Sequence, residues 1–228
     1  MASDTKPRIF SNTTLLALGV AVNALIGLYI TRTLARYLGV AAYGQYALAF
    51  VYLNFSAVIA NFGFDSILIR EIARDKEGAN VSVTAGIALK LAFATAAFLL
   101  GSLYVLSRGY SSAYAGAVVL LLLTHYVAAF DTFEIVHKAH LRGGNVAAGS
   151  IISQALTLGV VLWGRAHGWP LEALIGAHLF VRIPRAAFFY FRLRAVSPFR
   201  WSWDPEKTRF ILRESALIGL EFRRVLFR

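Results

Sequence analysis

Long apolar runs, broken at short intervals by glycine and charge, set the pattern of this chain. Thr13–Thr31, Tyr37–Phe64, Gly109–Phe130 and Gly143–Gly164 carry no Asp, Glu, Lys or Arg; Val81–Ser107 carries only Lys90; Ala173–Phe191 carries Arg182 and Arg185. A helix needs roughly 20 mostly apolar residues, at about 1.5 Å each, to cross the hydrocarbon core of a bilayer. The pattern therefore predicts an all-α polytopic membrane bundle of six transmembrane helices. The runs are continuous rather than alternating, which argues against a β-barrel. The first is too long for a signal-peptide core, and no small-residue cleavage site leads from it into a soluble domain.

The connections are punctuated. Leu38-Gly39 to Tyr43-Gly44 separates the first two spans, Arg142-Gly143-Gly144-Asn145 the fourth and fifth, and His167-Gly168-Trp169-Pro170 the fifth and sixth. Asp65–Glu77 mixes Ile67, Leu68, Ile72 and Ala73 with Arg70, Glu71, Arg74 and Asp75, the spacing of an amphipathic helix lying at the membrane interface. Trp201 and Trp203 are placed like interfacial anchors in a basic stretch, Arg192–Arg213.

Composition agrees. Of 228 residues 58% are hydrophobic and 15% charged, against about 45–50% and about 25% in soluble domains; mean hydropathy is +0.61. A chain this apolar is neither a soluble domain nor disordered. With no cysteine there is no disulfide framework, thiolate nucleophile or Cys-based metal site.

The net charge of +11 raises the question of nucleic acid, but the position of the basic residues answers it. With the N-terminus on the cytoplasmic side, 14 basic residues fall inside: Lys6, Arg8, Arg70, Arg74, Lys76, Lys138, Arg142, Arg185, Arg192, Arg194, Arg200, Lys207, Arg209 and Arg213. Only 4 fall outside, Arg32, Arg36, Arg108 and Arg165, with Lys90, Arg182 and the last eight residues set aside. The positive-inside rule then favours a multi-pass cytoplasmic (inner) membrane protein with its N-terminus inside. No nucleic-acid partner is expected, because a basic stripe needs a soluble face.

The expected organisation is a cytoplasmic segment at 1–12, a six-helix transmembrane lobe at 13–191, a basic cytoplasmic loop at 192–213, and the truncated start of a seventh helix at 214–228. Ser215–Leu220 is apolar but too short to span, and Glu221–Arg228 (EFRRVLFR) reads as a foreign tail or as a short amphipathic helix on the membrane surface.

Charges at membrane depth are costly and usually face the protein interior. Lys90 shares a helical face with Gly86, Ala94, Ala97 and Gly101. It reads as a cation facing an anionic substrate, or as a lysine snorkelling to the interface. His178, Arg182 and Arg185 form a basic stripe beside Pro184, which is expected to kink the sixth span. Such a stripe suits phosphate, or else Arg182 snorkels to join Arg185 at the flank. Gly19, Asn23 and Gly27 form a small–polar–small face suited to helix packing. Asn54, Asn61 and Asp65 on the second span, and Ser150, Ser153, Gln154 and Thr157 on the fifth, form polar stripes suited to interhelical hydrogen bonds or a hydrophilic lumen.

Asp131 and Glu134 end the fourth span near His137 and Lys138. They read as a helix end where Glu134 pairs with Lys138, against the alternative of a catalytic carboxylate pair. His125 stands alone at mid-span, and His137 and His140 lack a third ligand. No P-loop, dinucleotide fingerprint, zinc-protease motif or nucleophile elbow is present. No catalytic residue, metal site or cofactor is assigned.

Ala35-Arg36-Tyr37-Leu38-Gly39 followed by Tyr43-Gly44-Gln45-Tyr46 resembles the AR-x-LG-x-x-x-YG-x-Y segment after the first helix of polysaccharide-biosynthesis flippases. Gly63-Phe64-Asp65 with Ile69-Arg70-Glu71-Ile72-Ala73-Arg74 resembles their G-x-D…REIAR segment, and Lys207–Leu220 (KTRFILRESALIGL) is similar to the lead into their seventh helix. These are the lipid-linked oligosaccharide and O-antigen flippases of the multidrug/oligosaccharidyl-lipid/polysaccharide exporter superfamily. The resemblance implies a bundle of twelve or more helices in two lobes, with this chain the N-terminal one and a C-terminal lobe as its missing partner. It also implies an undecaprenyl-pyrophosphate-linked oligosaccharide as substrate, alternating access driven by a coupling ion (H+ or Na+), and contact with polysaccharide assembly machinery. The substrate-lumen candidates are Lys90, Arg182, His178, Asn23, Asn54, Asn61 and Gln154.

Two other functions compete. A drug/cation antiporter of the same superfamily would favour acidic lumen residues, whereas the deep charges here are basic. A membrane-embedded lipid-sugar transferase or polymerase would need paired acids at one depth, for which only Asp131 and Glu134 qualify.

Overall fold

Helix accounts for every regular element among the described residues of this computed structural model, which are 5–194 and 198–226, with side chains at 14, 17–194 and 198–217. α1 (Thr5–Asn61) comes first, then the short α2 (Phe64–Arg74) and α3 (Ala79–Ser107). The fourth apolar run divides into α4 (Ser112–Leu122), α5 (Thr124–Ala128), a 3-10 turn (Ala129–Asp131) and α6 (Thr132–Ala139). α7 (Gly143–Ala166), α8 (Leu171–Arg194) and α9 (Pro205–Leu226) follow.

α1 has 57 residues, which straight would reach about 85 Å, nearly three bilayer cores. It is not straight, because Gly39 (φ 74, ψ 174) leaves helical geometry, in a region that only glycine enters cheaply. The break expected over residues 38–44 is confined to this one residue.

Side-chain pairs fix the direction of each helix. A Cβ on Gly19 would lie 2.8 Å from the Ala147 Cβ, and one on Gly27 3.1 Å from the Gln154 amide, so the first half of α1 runs parallel to α7. Phe189 lies against Gly149 and Leu174 against Gly164, so α7 and α8 are antiparallel. Arg182 meets Asp131 and Phe189 meets His137, so α8 runs with α4–α6. Leu122 lies against Gly101 and Thr132 against Gly86, so α3 opposes α4–α6. Tyr52 meets Tyr104 and Ser56 lies against Gly101, so α3 also opposes the second half of α1. The two halves of α1 are therefore antiparallel. Five helices are long and apolar enough to cross a membrane, and the first, turning at Gly39, supplies two of six crossings.

Three clusters hold the bundle. Ile30, Leu34, Val161 and Leu174 join α1, α7 and α8; Ala49, Leu53, Val118, Leu121 and Ile175 join α1, α4 and α8; Phe64, Leu68, Ile87, Phe133, Phe189 and Ile211 join α2, α3, α6, α8 and α9. The outward faces keep large apolar residues exposed, among them Leu25, Leu28, Phe55, Leu103, Leu106, Phe180 and Phe191, as a helix facing lipid requires. Contact at Gly149 is tight: a Cβ there would overlap the fully buried Phe189 ring. Gly149→Leu is expected to lower unfolding free energy by about 1–3 kcal/mol in detergent denaturation. Phe189→Leu in the same chain should recover part of the loss.

The structure corrects three expectations. The fourth span continues to Ala139, so Asp131 and Glu134 lie within it. Thr124 donates to the Leu121 carbonyl and Thr132 to that of Ala129 at 2.8 Å, and such back-bonding competes with regular helix where the run tightens. α2 is amphipathic, but Phe64, Ile67, Leu68 and Ile72 are covered by protein rather than laid on the interface, because α3, α6 and α9 pack on that face. The basic stretch 192–213 is helical from Pro205 onward rather than a loop. Asp204 caps α9, its Oδ1 accepting from the amides of Glu206 (2.8 Å) and Lys207 (3.2 Å), and Pro205 suits the first helical position. α8 runs through Pro184. The foreign-tail expectation for Glu221–Arg228 concerns side chains outside the described residues.

α9 is tied to α2 by Lys207 Nζ–Glu71 (2.7 Å) and Arg70–Glu214 (2.9 Å). Burial raises the Glu71 carboxyl's pKa, but the hydrogen bond and charge of Lys207 outweigh it, so the pKa lies below the ordinary 4.5. A depressed carboxylate contributes stability that is whole above the unfolded value and is lost as pH falls through the folded one. The thermal midpoint is expected to drop as pH falls below the ordinary carboxylate value. Glu71→Gln should flatten that drop; an identical slope in both chains refutes the assignment.

Candidate functional site

Lys90 and Arg182 line one cavity of about 240 Å3, together with Asn54, Asn61, Asp65, Thr124, His125 and Asp131. Its walls are the second half of α1, the start of α2, α3, the α5–3-10 segment and α8. Each reaches the cavity through a local feature. Ala94 and Ala97 on α3 are fully buried, and Gly86 is filled by Leu68. The small residues sharing Lys90's face thus bring neighbouring helices close and leave its stem no route outward.

The Lys90 ammonium donates to Asp65 Oδ1 at 2.5 Å, and its side chain is only 7% exposed against 43% for Asp65. Asn61 Nδ2 donates to the other Asp65 oxygen at 3.1 Å. Burial raises the Asp65 carboxyl's pKa, but the Lys90 charge and hydrogen bond and the Asn61 amide outweigh it and hold it below the ordinary value. Across the cavity Arg182 donates to Asp131 Oδ2 at 3.2 Å. Asp131 Oδ1 is buried with no partner among the described residues. Ser56 Oγ and the cavity-lining His125 Nε2 pair at 2.7 Å.

A second charged cluster lies toward the α2 end. Glu134, with its side chain 5% exposed, is held by Arg185 and by Lys138 at 2.9 Å. His137 packs against Phe189 with the two rings tilted, and contacts the Asn145 amide at 3.3 Å. The two acids of the fourth span thus face different basic partners. Among the described residues no group of three His, Asp or Glu is placed to hold a metal.

The other sequence candidates lie apart. His178 sits edge-on to Phe50 at 4.9 Å and does not line the cavity. Asn23 and Gln154 meet each other where α1 packs on α7, Gln154 Nε2 donating to the Asn23 carbonyl at 3.3 Å, while Asn23 Oδ1 is buried without a partner among the described residues. Four of the seven candidates therefore converge: Lys90, Arg182, Asn54 and Asn61. What the sequence reading missed is that both cations have carboxylate partners. The i,i+4 step from Asn61 to Asp65 was a usable signal; the pairing of Asp131 with Arg182, 51 residues apart, had none.

A separate apolar groove of about 610 Å3 is lined by Ile87, Phe130, Phe133, Tyr190, Phe199 and Trp201 among others.

Fold and cavity define a multi-pass helical membrane protein with an ion-paired, polar chamber inside its bundle. The chain belongs to the polysaccharide biosynthesis protein family, whose sequence profile matches residues 33–216; its role is in polysaccharide synthesis or export. No curated protein and no solved structure matches the chain.

Proposed function

We propose that the chain is a lobe of a flippase, moving an undecaprenyl-pyrophosphate-linked oligosaccharide across the cytoplasmic membrane by alternating access, without covalent chemistry of its own. The observation that carries this reading is the cavity shared by Lys90 and Arg182. A diphosphate headgroup cannot enter hydrocarbon unaided, and a cation pair in a polar chamber offsets its desolvation. At about 240 Å3 the chamber is smaller than the roughly 300–1,000 Å3 of sites for drug-sized ligands. It suits the charged headgroup, with the sugars against the exposed polar face carrying Asn54 and Asn61. A second lobe closes that face, and an H+ or Na+ gradient drives the cycle. The excess of basic residues at the α2 end supports that end as cytoplasmic.

The rival readings draw less support. A drug/cation antiporter would favour an excess of acidic lining residues, but here two acids are matched by two cations. An embedded transferase would want a free acid pair, and Glu134 is held by two basic residues. The test is Lys90→Ala with Arg182→Ala in the complete exporter, read as surface glycan per unit of membrane-inserted protein.

A further inference from the structure

The lining charges of the chamber balance: Lys90 and Arg182 against Asp65 and Asp131. A neutral, half-enclosed site gives a dianion little reason to enter, because each cation is already satisfied by a carboxylate of the same lobe. Resting on the headgroup reading above, we propose that Asp65 is an exchangeable counter-ion, occupying on Lys90 the place that a phosphoryl oxygen of an anionic diphosphate takes when it binds.

The two carboxylates differ in ways that single out Asp65. Lys90 is buried and its stem is fixed among packed small residues, so the cation stays in place. Asp65 is nearly half exposed at the mouth, so its carboxylate can turn to water when displaced. It also sits on its own short helix, entered through Phe62 (φ 36) and Gly63 (φ 81), rather than on a spanning helix. Asp131 is more deeply placed within the fourth span and has no such outlet. An acid that competes for the cation makes diphosphate binding weak and refills the site on release. A cargo-moving site needs both properties, since a tightly held anion would not leave. Asn61, whose amide holds Asp65 from the end of α1, tunes the competition.

The experiment is equilibrium binding of inorganic pyrophosphate, and separately of a short prenyl diphosphate, to the detergent-purified full chain. Asp65→Asn is expected to bind about tenfold tighter than the unaltered chain. Asn61→Ala, a milder change that leaves the Lys90–Asp65 pair intact, is expected to tighten binding about threefold. It keeps the question open to refutation if Asp65→Asn does not fold. Lys90→Ala in the Asp65→Asn background should remove the gain. A gain with both probes assigns the site to the diphosphate itself, and a gain with the prenyl diphosphate alone assigns it to a lipid headgroup. Binding by Asp65→Asn where the unaltered chain shows none also supports the exchange. Binding that is unchanged or weakened in Asp65→Asn and in Asn61→Ala overturns the counter-ion role while leaving the headgroup reading standing. Absence of binding in every chain with both probes overturns the two together.

Discussion

Glu134→Ala is expected to be among the most destabilising single substitutions in this chain, lowering unfolding free energy by about 3–5 kcal/mol. The residue is almost completely enclosed, and both Arg185 and Lys138 reach it. Arg185 is itself mostly enclosed, and its Nε has no partner among the described residues. Removing the acid strands a guanidinium that little water can reach, and losing one partner of a buried pair costs more than the pair contributed. The measurement is detergent-induced unfolding of the purified chain. Glu134→Ala combined with Arg185→Leu should recover a large part of the loss, since replacing a buried pair by apolar groups is often neutral. A loss below about 1 kcal/mol, as for a solvent-exposed pair, would mean that the cluster is hydrated.

Lys90→Ala with Arg182→Ala is expected to reduce glycan export at least about a hundredfold, corresponding to two charge-assisted contacts at roughly 1.5 kcal/mol or more each. Membrane insertion should survive, because neither residue carries the apolar runs that specify the spans; Asp65, nearly half exposed, can be solvated once unpaired, while Asp131, left without Arg182, is expected to cost some stability. Function and fold therefore respond in opposite proportion at the two clusters: Glu134 holds helices together, whereas Lys90 and Arg182 face a cavity. Export unchanged at equal protein level would remove the chamber from the transport path. Loss of the protein from the membrane would instead give the two cations the structural role assigned to Glu134.

Much of the architecture is legible in the amino-acid sequence. The apolar runs specified six crossings because bilayer thickness sets a minimum length that composition must meet. The Gly19–Asn23–Gly27 face was readable as a packing surface because small residues at four-residue spacing permit close approach, and it meets Ala147 and Gln154. The Glu134–Lys138 pair, four residues apart, was readable for the same local reason.

What lay beyond local periodicity was decided only by the tertiary arrangement. Lys90 read as a bare cation because its partner Asp65 lies 25 residues away on another helix. Arg182 and Asp131 are 51 residues apart, as are Arg185 and Glu134, and no helical repeat relates them. Asn23 and Gln154 resembled lumen residues by composition, yet α1 packs parallel on α7 and the Gln154 amide donates to the Asn23 backbone carbonyl there. The sequence by itself determined which segments enter the membrane, because burial in hydrocarbon is a property each segment carries alone. Which charges meet within it depends on how six crossings are ordered around one another, and that was settled only when the helices packed.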